Sequence, residues 1–190
     1  MYAGLAVILI ACAACSDSPT GPIAQTRVEA HVQDSPGPGT VAGTFAGNFS
    51  ASVWDGDEWV ALGSPNGITV ALQSGALTTV HGEQSVPAGS YSRVRLVLQD
   101  VTARVASGSS IGGTTLTSDR TITLGGSNQR VDLAISVSSF DVGDDPAIRR
   151  RIVFDLRSAQ WLTSNVVQSG VVDDAALQSA VTASTVVEPR

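Results

Sequence analysis

The sequence predicts an all-β protein: an antiparallel β-sandwich of immunoglobulin-like or transthyretin-like architecture with one short C-terminal helix. Three observations carry that expectation. Apolar and polar residues alternate along many short runs, the period of a strand with one buried face. Turns rich in Gly, Pro and Asn punctuate those runs. One stretch alone has a helical pattern, and no heptad, solenoid or propeller repeat is present.

Taken in order, the first strand is expected over Arg27–Gln33, with His31 among its outward positions. Asp34-Ser35-Pro36-Gly37-Pro38-Gly39 then breaks it. Phe45, Gly47, Phe49, Ala51 and Val53 form one face of a long strand, whose glycines point to a bulge. In Trp54-Asp55-Gly56-Asp57-Glu58-Trp59, an Asp-Gly pair between β-formers marks a hairpin tip. Val60 and Leu62 belong to the return strand, and residues 63–67 turn the chain again. Ile68, Val70 and Leu72 make the next strand, and residues 76–80 a short one.

Val86-Pro87-Ala88-Gly89-Ser90-Tyr91 reads as the turn that organises the rest. Pro87 fixes φ and lacks an N–H, and Gly89 is expected at positive φ. The strand that follows has Val94, Leu96 and Leu98 on one face, with Arg93, Arg95 and Val97 on the other. Asp100 marks a bend or bulge, after which Val101, Ala103 and Val105 resume the pattern. Ile122 and Leu124 precede a turn at 125–128. Val131, Leu133, Ile135 and Val137 then point inward, with Asp132, Ala134 and Ser136 outward. Residues 140–146 read as a loop, and Ile152, Phe154 and Leu156 as a further strand. Trp161 and Leu162 plug the core, 166–167 and 171–172 are β-like, and 173–181 is the helix, with acids at its start.

At 43% hydrophobic and 15% charged residues, the chain can bury a core and is not disordered as a whole. With 5% aromatics, that core falls mainly to Val, Leu, Ile and Ala. A net charge of −6 argues against nucleic acid as a partner, and the run Arg149-Arg150-Arg151 is too short to reverse it.

Residues 3–14 form an uncharged apolar run, too short to span a bilayer as a helix. The run ends in Leu9-Ile10-Ala11-Cys12-Ala13-Ala14-Cys15 and gives way to Ser16-Asp17-Ser18-Pro19. This resembles the lipobox of bacterial lipoproteins, whose cysteine is acylated and becomes the mature N-terminus. Cys12 fits by the residues before it. Cys15 adjoins the polar linker and leaves no free thiol after cleavage, so it is preferred. No basic residue precedes the run, a departure from the usual pattern. The organisation expected is a lipoprotein signal over 1–15, a flexible tether over 16–24 and one sandwich domain over 25–190. That places the protein in the cell envelope, at the outer membrane or cell surface. With no other cysteine, the domain has no disulfide to rely on.

Val86-Pro87-Ala88-Gly89-Ser90-Tyr91-Ser92-Arg93-Val94-Arg95-Leu96 resembles the PAG-x-Y-x-x-[IV]-R-L pattern of a domain of unknown function common in bacterial and archaeal lipoproteins. Residues 131–156, with Phe140-Asp141-Val142 and Val153-Phe154-Asp155-Leu156, look like the C-terminal part of that family. Val32-Gln33-Asp34-Ser35-Pro36 stands where the family has a strand ending in L-T-D-A-P, and departs from it at several positions. The resemblance covers roughly residues 27–162. It implies a β-sandwich on a lipid anchor and brings no activity and no catalytic residue.

Chemistry is sparse. His31 and His81 are the only imidazoles, and no nucleophile-elbow pattern of the G-x-S-x-G kind is expected to serve a triad with either. Asp55, Asp57 and Glu58 share the hairpin tip, and Asp141, Asp144 and Asp145 share a loop. Asp55, Asp57, Asp141 and Asp144 are therefore the calcium candidates, since calcium takes six to eight oxygens from such loops. Neither spacing matches an EF-hand, and no cofactor is expected. Trp54 and Trp59 flank the same tip, as a ligand contact or as a cross-strand pair closing the hairpin. Arg93 and Arg95 are expected to pair with Asp132 and Asp155. The function expected is a non-catalytic envelope module that binds a glycan or protein. The alternative is a calcium-dependent envelope enzyme or a calcium-binding carbohydrate-recognition domain.

Overall fold

The structure, a computed structural model, describes residues 26–124 and 129–190. Cys12, Cys15, the tether and the turn expected at 125–128 lie outside the described residues.

Two sheets face one another across a shared apolar core. Sheet I holds β13 (Val186–Pro189), β11 (Arg149–Asp155), β1 (Arg27–Gln33) and β5 (Thr78–Ser85), in that spatial order. Sheet II is built on β6 (Gly89–Val105). One side of β6 pairs with β2 (Gly43–Trp54), which pairs in turn with β4 (Asn66–Ala71) and β3 (Trp59–Ala61). The other side pairs with β10 (Arg130–Val142) along residues 89–99 and with β9 (Arg120–Leu124) along residues 102–105, and β12 (Val171–Val172) lies beyond β9. A small hairpin of β7 (Ser110–Ile111) and β8 (Thr114–Thr115) stands apart from both sheets.

The alternation in β6 explains its central place. Val94, Leu96 and Leu98 are fully buried, and Asp100 then takes a left-handed backbone (φ 53°). That extra residue moves the inward positions to Val101, Ala103 and Val105. On β2 the register shifts between Ala46 and Asn48, so the expected bulge sits against Gly47. A Cβ there would lie 2.7 Å from the Val101 Cα, which restricts the position to glycine. Trp161 closes the core as expected. It is 1% exposed, donates its Nε1–H to the Leu156 carbonyl at 2.8 Å and lies 5.8 Å from Phe45. Each large side chain fully buried in this way contributes about 1.5–3 kcal/mol.

The chain departs from expectation at several points. The sheets are not wholly antiparallel, because β1 runs parallel to β11 and β12 to β9. Among the described residues there are three helices, α1 (Ser158–Trp161), α2 (Ser164–Ser169) and α3 (Asp174–Ser184). Val166 and Val167 are helical despite their β preference. Thr163 caps the start of α2 by accepting the Val166 N–H, and Gly170 (φ 72°) ends it. Residues 140–142 continue β10 past an irregularity instead of looping out, because Phe140 stacks on Tyr91 at 5.6 Å. Gly89 does not adopt positive φ; it opens β6. His31 is only 9% exposed, because both faces of β1 are covered.

These pairings fix what lies at each end of the sandwich. The 55–58 tip, the 86–88 turn and the 143–148 loop share one end. There the Thr26 N–H donates to the Gly143 carbonyl, so the chain enters the fold at that end.

Candidate functional site

The expected tryptophan pair lies on the outer face of sheet II. Trp54 and Trp59 stand opposite one another in register, with ring centroids 5.3 Å apart edge to face, and both are half-buried. The Arg93 guanidinium lies 5.5 Å from the Trp54 ring centroid and 5.4 Å from that of Trp59. Arg95 lies 4.6 Å over Trp59 and donates its Nε–H to Ser52 at 3.1 Å. Asp132 stands between Arg95 (3.8 Å) and Arg130 (3.6 Å). Arg93 makes no ion pair or hydrogen bond among the described residues. Each cation–π contact is worth about 0.5–1 kcal/mol at an exposed site. The pair therefore closes the hairpin and also forms part of a solvent-facing aromatic and cationic surface. Asp155, expected beside these arginines, lies on the other sheet.

The acidic residues do not assemble. One Asp55 carboxylate oxygen accepts the Asp57 and Glu58 N–H groups at 2.9 and 2.8 Å, and these bonds hold its carboxyl below the usual range. Gly56 takes the positive φ (115°) that this turn needs. Asp57 is exposed at the tip, Asp141 is exposed on β10 and Asp144 is exposed in the following loop. Among the described residues no three His, Cys, Asp or Glu side chains converge to hold a metal ion.

Nucleophilic catalysis finds no accessible site among the described residues. An acid, an imidazole and a hydroxyl do line up on sheet I, with Glu29 Oε1 3.3 Å from His31 Nε2 and Thr79 Oγ1 3.4 Å from His31 Nδ1, but Glu29 and His31 are buried. The spacing G-x-S-x-G does occur, at 108–112, but Ser110 begins the short β7 and not a strand-to-helix elbow. His81 is packed against Gly63, where an added Cβ would fall 2.6 Å from its Nδ1, and burial pushes the imidazole below its ordinary value. Two grooves, of about 320 and 410 Å³, flank the β7–β8 hairpin at the end away from the tryptophans. Arg120 is the one ionisable residue lining them, so they offer no acid–base pair.

Two polar clusters escaped the sequence reading. On the outer face of sheet I, Glu29 is 4% exposed and accepts from Arg151 Nε (2.7 Å) and Arg190 Nη1 (2.6 Å), with His31 Nε2 at 3.3 Å. Burial alone would raise the Glu29 carboxyl, yet the bond from Arg151 and the proximity of His31 and Arg190 hold it below the usual range. Glu83 joins Arg27 and Arg149 on the same face. The second cluster clasps the ends of the parallel pair β1 and β11. Asp34 Oδ1 accepts the Ser158 N–H at 2.7 Å, while Oδ2 accepts the Ser158 hydroxyl at 2.5 Å and the Gln73 N–H at 2.7 Å. In return, Asp155 Oδ1 accepts the Ser35 N–H at 3.0 Å and Oδ2 the Ser35 hydroxyl at 2.5 Å. It also accepts from Arg157, whose left-handed backbone (φ 49°) turns the chain into α1. Burial pushes the Asp34 carboxyl up, against its hydrogen bonds. Burial would raise Asp155 too, but bonds from Ser35, Arg157 and Gln33 bring it down. Asp34 is 0% and Asp155 3% exposed, so neither can meet a substrate. They hold the fold together.

The Val86–Tyr91 turn is structural as well. The Tyr91 hydroxyl donates to the Pro87 carbonyl at 2.7 Å while its ring is buried against Phe140, the logic of a tyrosine corner.

No curated protein and no solved structure matches the chain. A family model does, over residues 22–170, which leaves β12, α3 and β13 beyond the match. The chain belongs to the family described as a domain of unknown function, DUF4382.

Proposed function

We propose that the protein is an exported, lipid-anchored, non-catalytic binding module of the cell envelope, and that it meets an envelope glycan on the outer face of sheet II. The observation that carries this reading is the half-exposed Trp54–Trp59 pair with Arg93 beside it. Indole rings at a surface offer flat apolar area to a sugar ring at little cost in side-chain entropy. Co-sedimentation with purified peptidoglycan sacculi tests the reading. Wild-type protein is expected in the pellet, and Trp54→Ala and Trp59→Ala variants in the supernatant. Equal sedimentation of all three would overturn the proposed site.

The anchor is part of the proposal. Residues 16–25 would link an acylated Cys15 to Thr26, a span of roughly 35 Å at full extension. Intact mass and membrane partitioning of Cys12→Ala and Cys15→Ala variants test it. The acylated mass should vanish in the Cys15 variant and persist in the Cys12 variant. An unmodified, freely partitioning wild-type protein would remove the anchor.

A further inference from the structure

We infer that the ligand of the tryptophan face is an acidic glycan, one carrying carboxylate groups on its sugars, and that Arg93 is the group that recognises the carboxylate. This rests on the proposed glycan site and adds its chemical class. Three observations point there. First, Arg93 is exposed on β6 and, among the described residues, has no carboxylate or hydrogen-bond acceptor of its own. Its planar donors are free, and a guanidinium matches a carboxylate with two parallel N–H bonds. Second, two indole rings, at 5.5 and 5.4 Å, hold it in place, so little side-chain freedom remains to be lost on binding. Third, the surroundings on the β10 side suit an anionic sugar. Ser136 stands opposite Arg93 in register and offers a hydroxyl, and Arg95 lies two residues along. On that strand Asp132 is already held between Arg95 and Arg130, and Asp141, paired with Ser90, lies toward the hairpin-tip end.

The acids Asp55, Asp57 and Glu58 lie at the hairpin tip beyond the tryptophans. They repel an anion from that direction, so the ligand should run along β6 and β10, away from the tip. A neutral sugar would leave the free guanidinium unused.

The test titrates the full chain with tetragalacturonate, its fully methyl-esterified form and a poly-glutamate of matched charge. Binding of tetragalacturonate is expected, with at least tenfold weaker binding of the ester. Raising NaCl from 0.05 to 0.5 M should weaken the acid's binding by roughly tenfold, because an exposed pair is screened. Arg93→Gln should abolish the preference for the acid. The same substitution at Arg104, exposed farther along β6, should leave it intact. Equal binding of acid and ester would overturn the assignment of Arg93 while leaving a glycan site standing. Equal binding of poly-glutamate would show recognition of charge alone and overturn the sugar reading. Binding to none of the probes, together with sacculi retention indifferent to Trp54 and Trp59, would remove the inference and the proposed site together.

Discussion

Replacing Asp34 with alanine should destabilise the fold by about 3–5 kcal/mol. The carboxylate accepts three hydrogen bonds, from the Ser158 N–H, the Ser158 hydroxyl and the Gln73 N–H. Ser158 is 0% exposed, so its two donors cannot turn to water once the carboxylate is gone. Each buried unsatisfied donor costs about 1–3 kcal/mol. Gln73 is only partly buried and recovers some of its loss through solvent. The sum of about 3–5 kcal/mol corresponds to a fall in Tm of roughly 10 °C for a domain of this size. Urea unfolding with an unchanged m-value is the assay, since a shifted midpoint at constant m reports stability alone. Ser158→Ala should cost less, and the double variant should cost less than the two losses added, because both remove the same bonds. A loss below 1 kcal/mol at unchanged m would refute the claim that this buried carboxylate is a clasp.

The remaining expectations concern other parts of the frame. Gly47→Ala should lower Tm sharply, because its Cβ meets the Val101 backbone, whereas Gly82→Ala, whose Cβ meets nothing within 4 Å, should be close to neutral. Tyr91→Phe removes the bond to the Pro87 carbonyl and should cost about 1 kcal/mol in chemical denaturation. His81 has a folded pKa depressed below its ordinary 6.5, so the unfolded chain takes up the proton first. The stability it confers is complete above pH 6.5 and is lost as pH falls from there through the folded value. His81→Gln should flatten the Tm profile in that window. Glu29 and Asp155 are depressed carboxylates, so their contribution is present above the ordinary carboxylate range and lost as pH falls through their folded values. Glu29→Gln should accordingly reduce the acid sensitivity of Tm.

Much of the frame was legible because it is local. The alternation of Val94, Leu96 and Leu98, the Asp55-Gly56 tip and the bulge at Asp100 each follow from a few neighbouring residues and their backbone preferences. The tryptophan pair was legible for the same reason, since a short hairpin brings Trp54 and Trp59 into register. What stayed hidden depends on distant pairing. Asp34 and Ser158 are 124 residues apart, and only the parallel alignment of β1 and β11 brings them together. Period-2 alternation places His31 outward, and Glu29 shares its face. Arg151 and Arg190, far along the chain, then bury Glu29 from that side. The α2 turn was missed because Thr163 and Gly170 outweigh the β preference of two valines. Alternation places Arg93 outward, but nothing in the sequence says that it lies over two indoles.

Tryptophan emission during titration with soluble peptidoglycan fragments tests the central claim most directly, because the three tryptophans divide cleanly. Trp161 is sealed in the core, while Trp54 and Trp59 sit on the proposed site. A saturable change in emission is expected, retained in Trp161→Phe and lost when Trp54 and Trp59 are both replaced with phenylalanine. Saturable binding that persists in the doubly substituted protein, measured by calorimetry, would contradict the account and place recognition elsewhere on the sandwich.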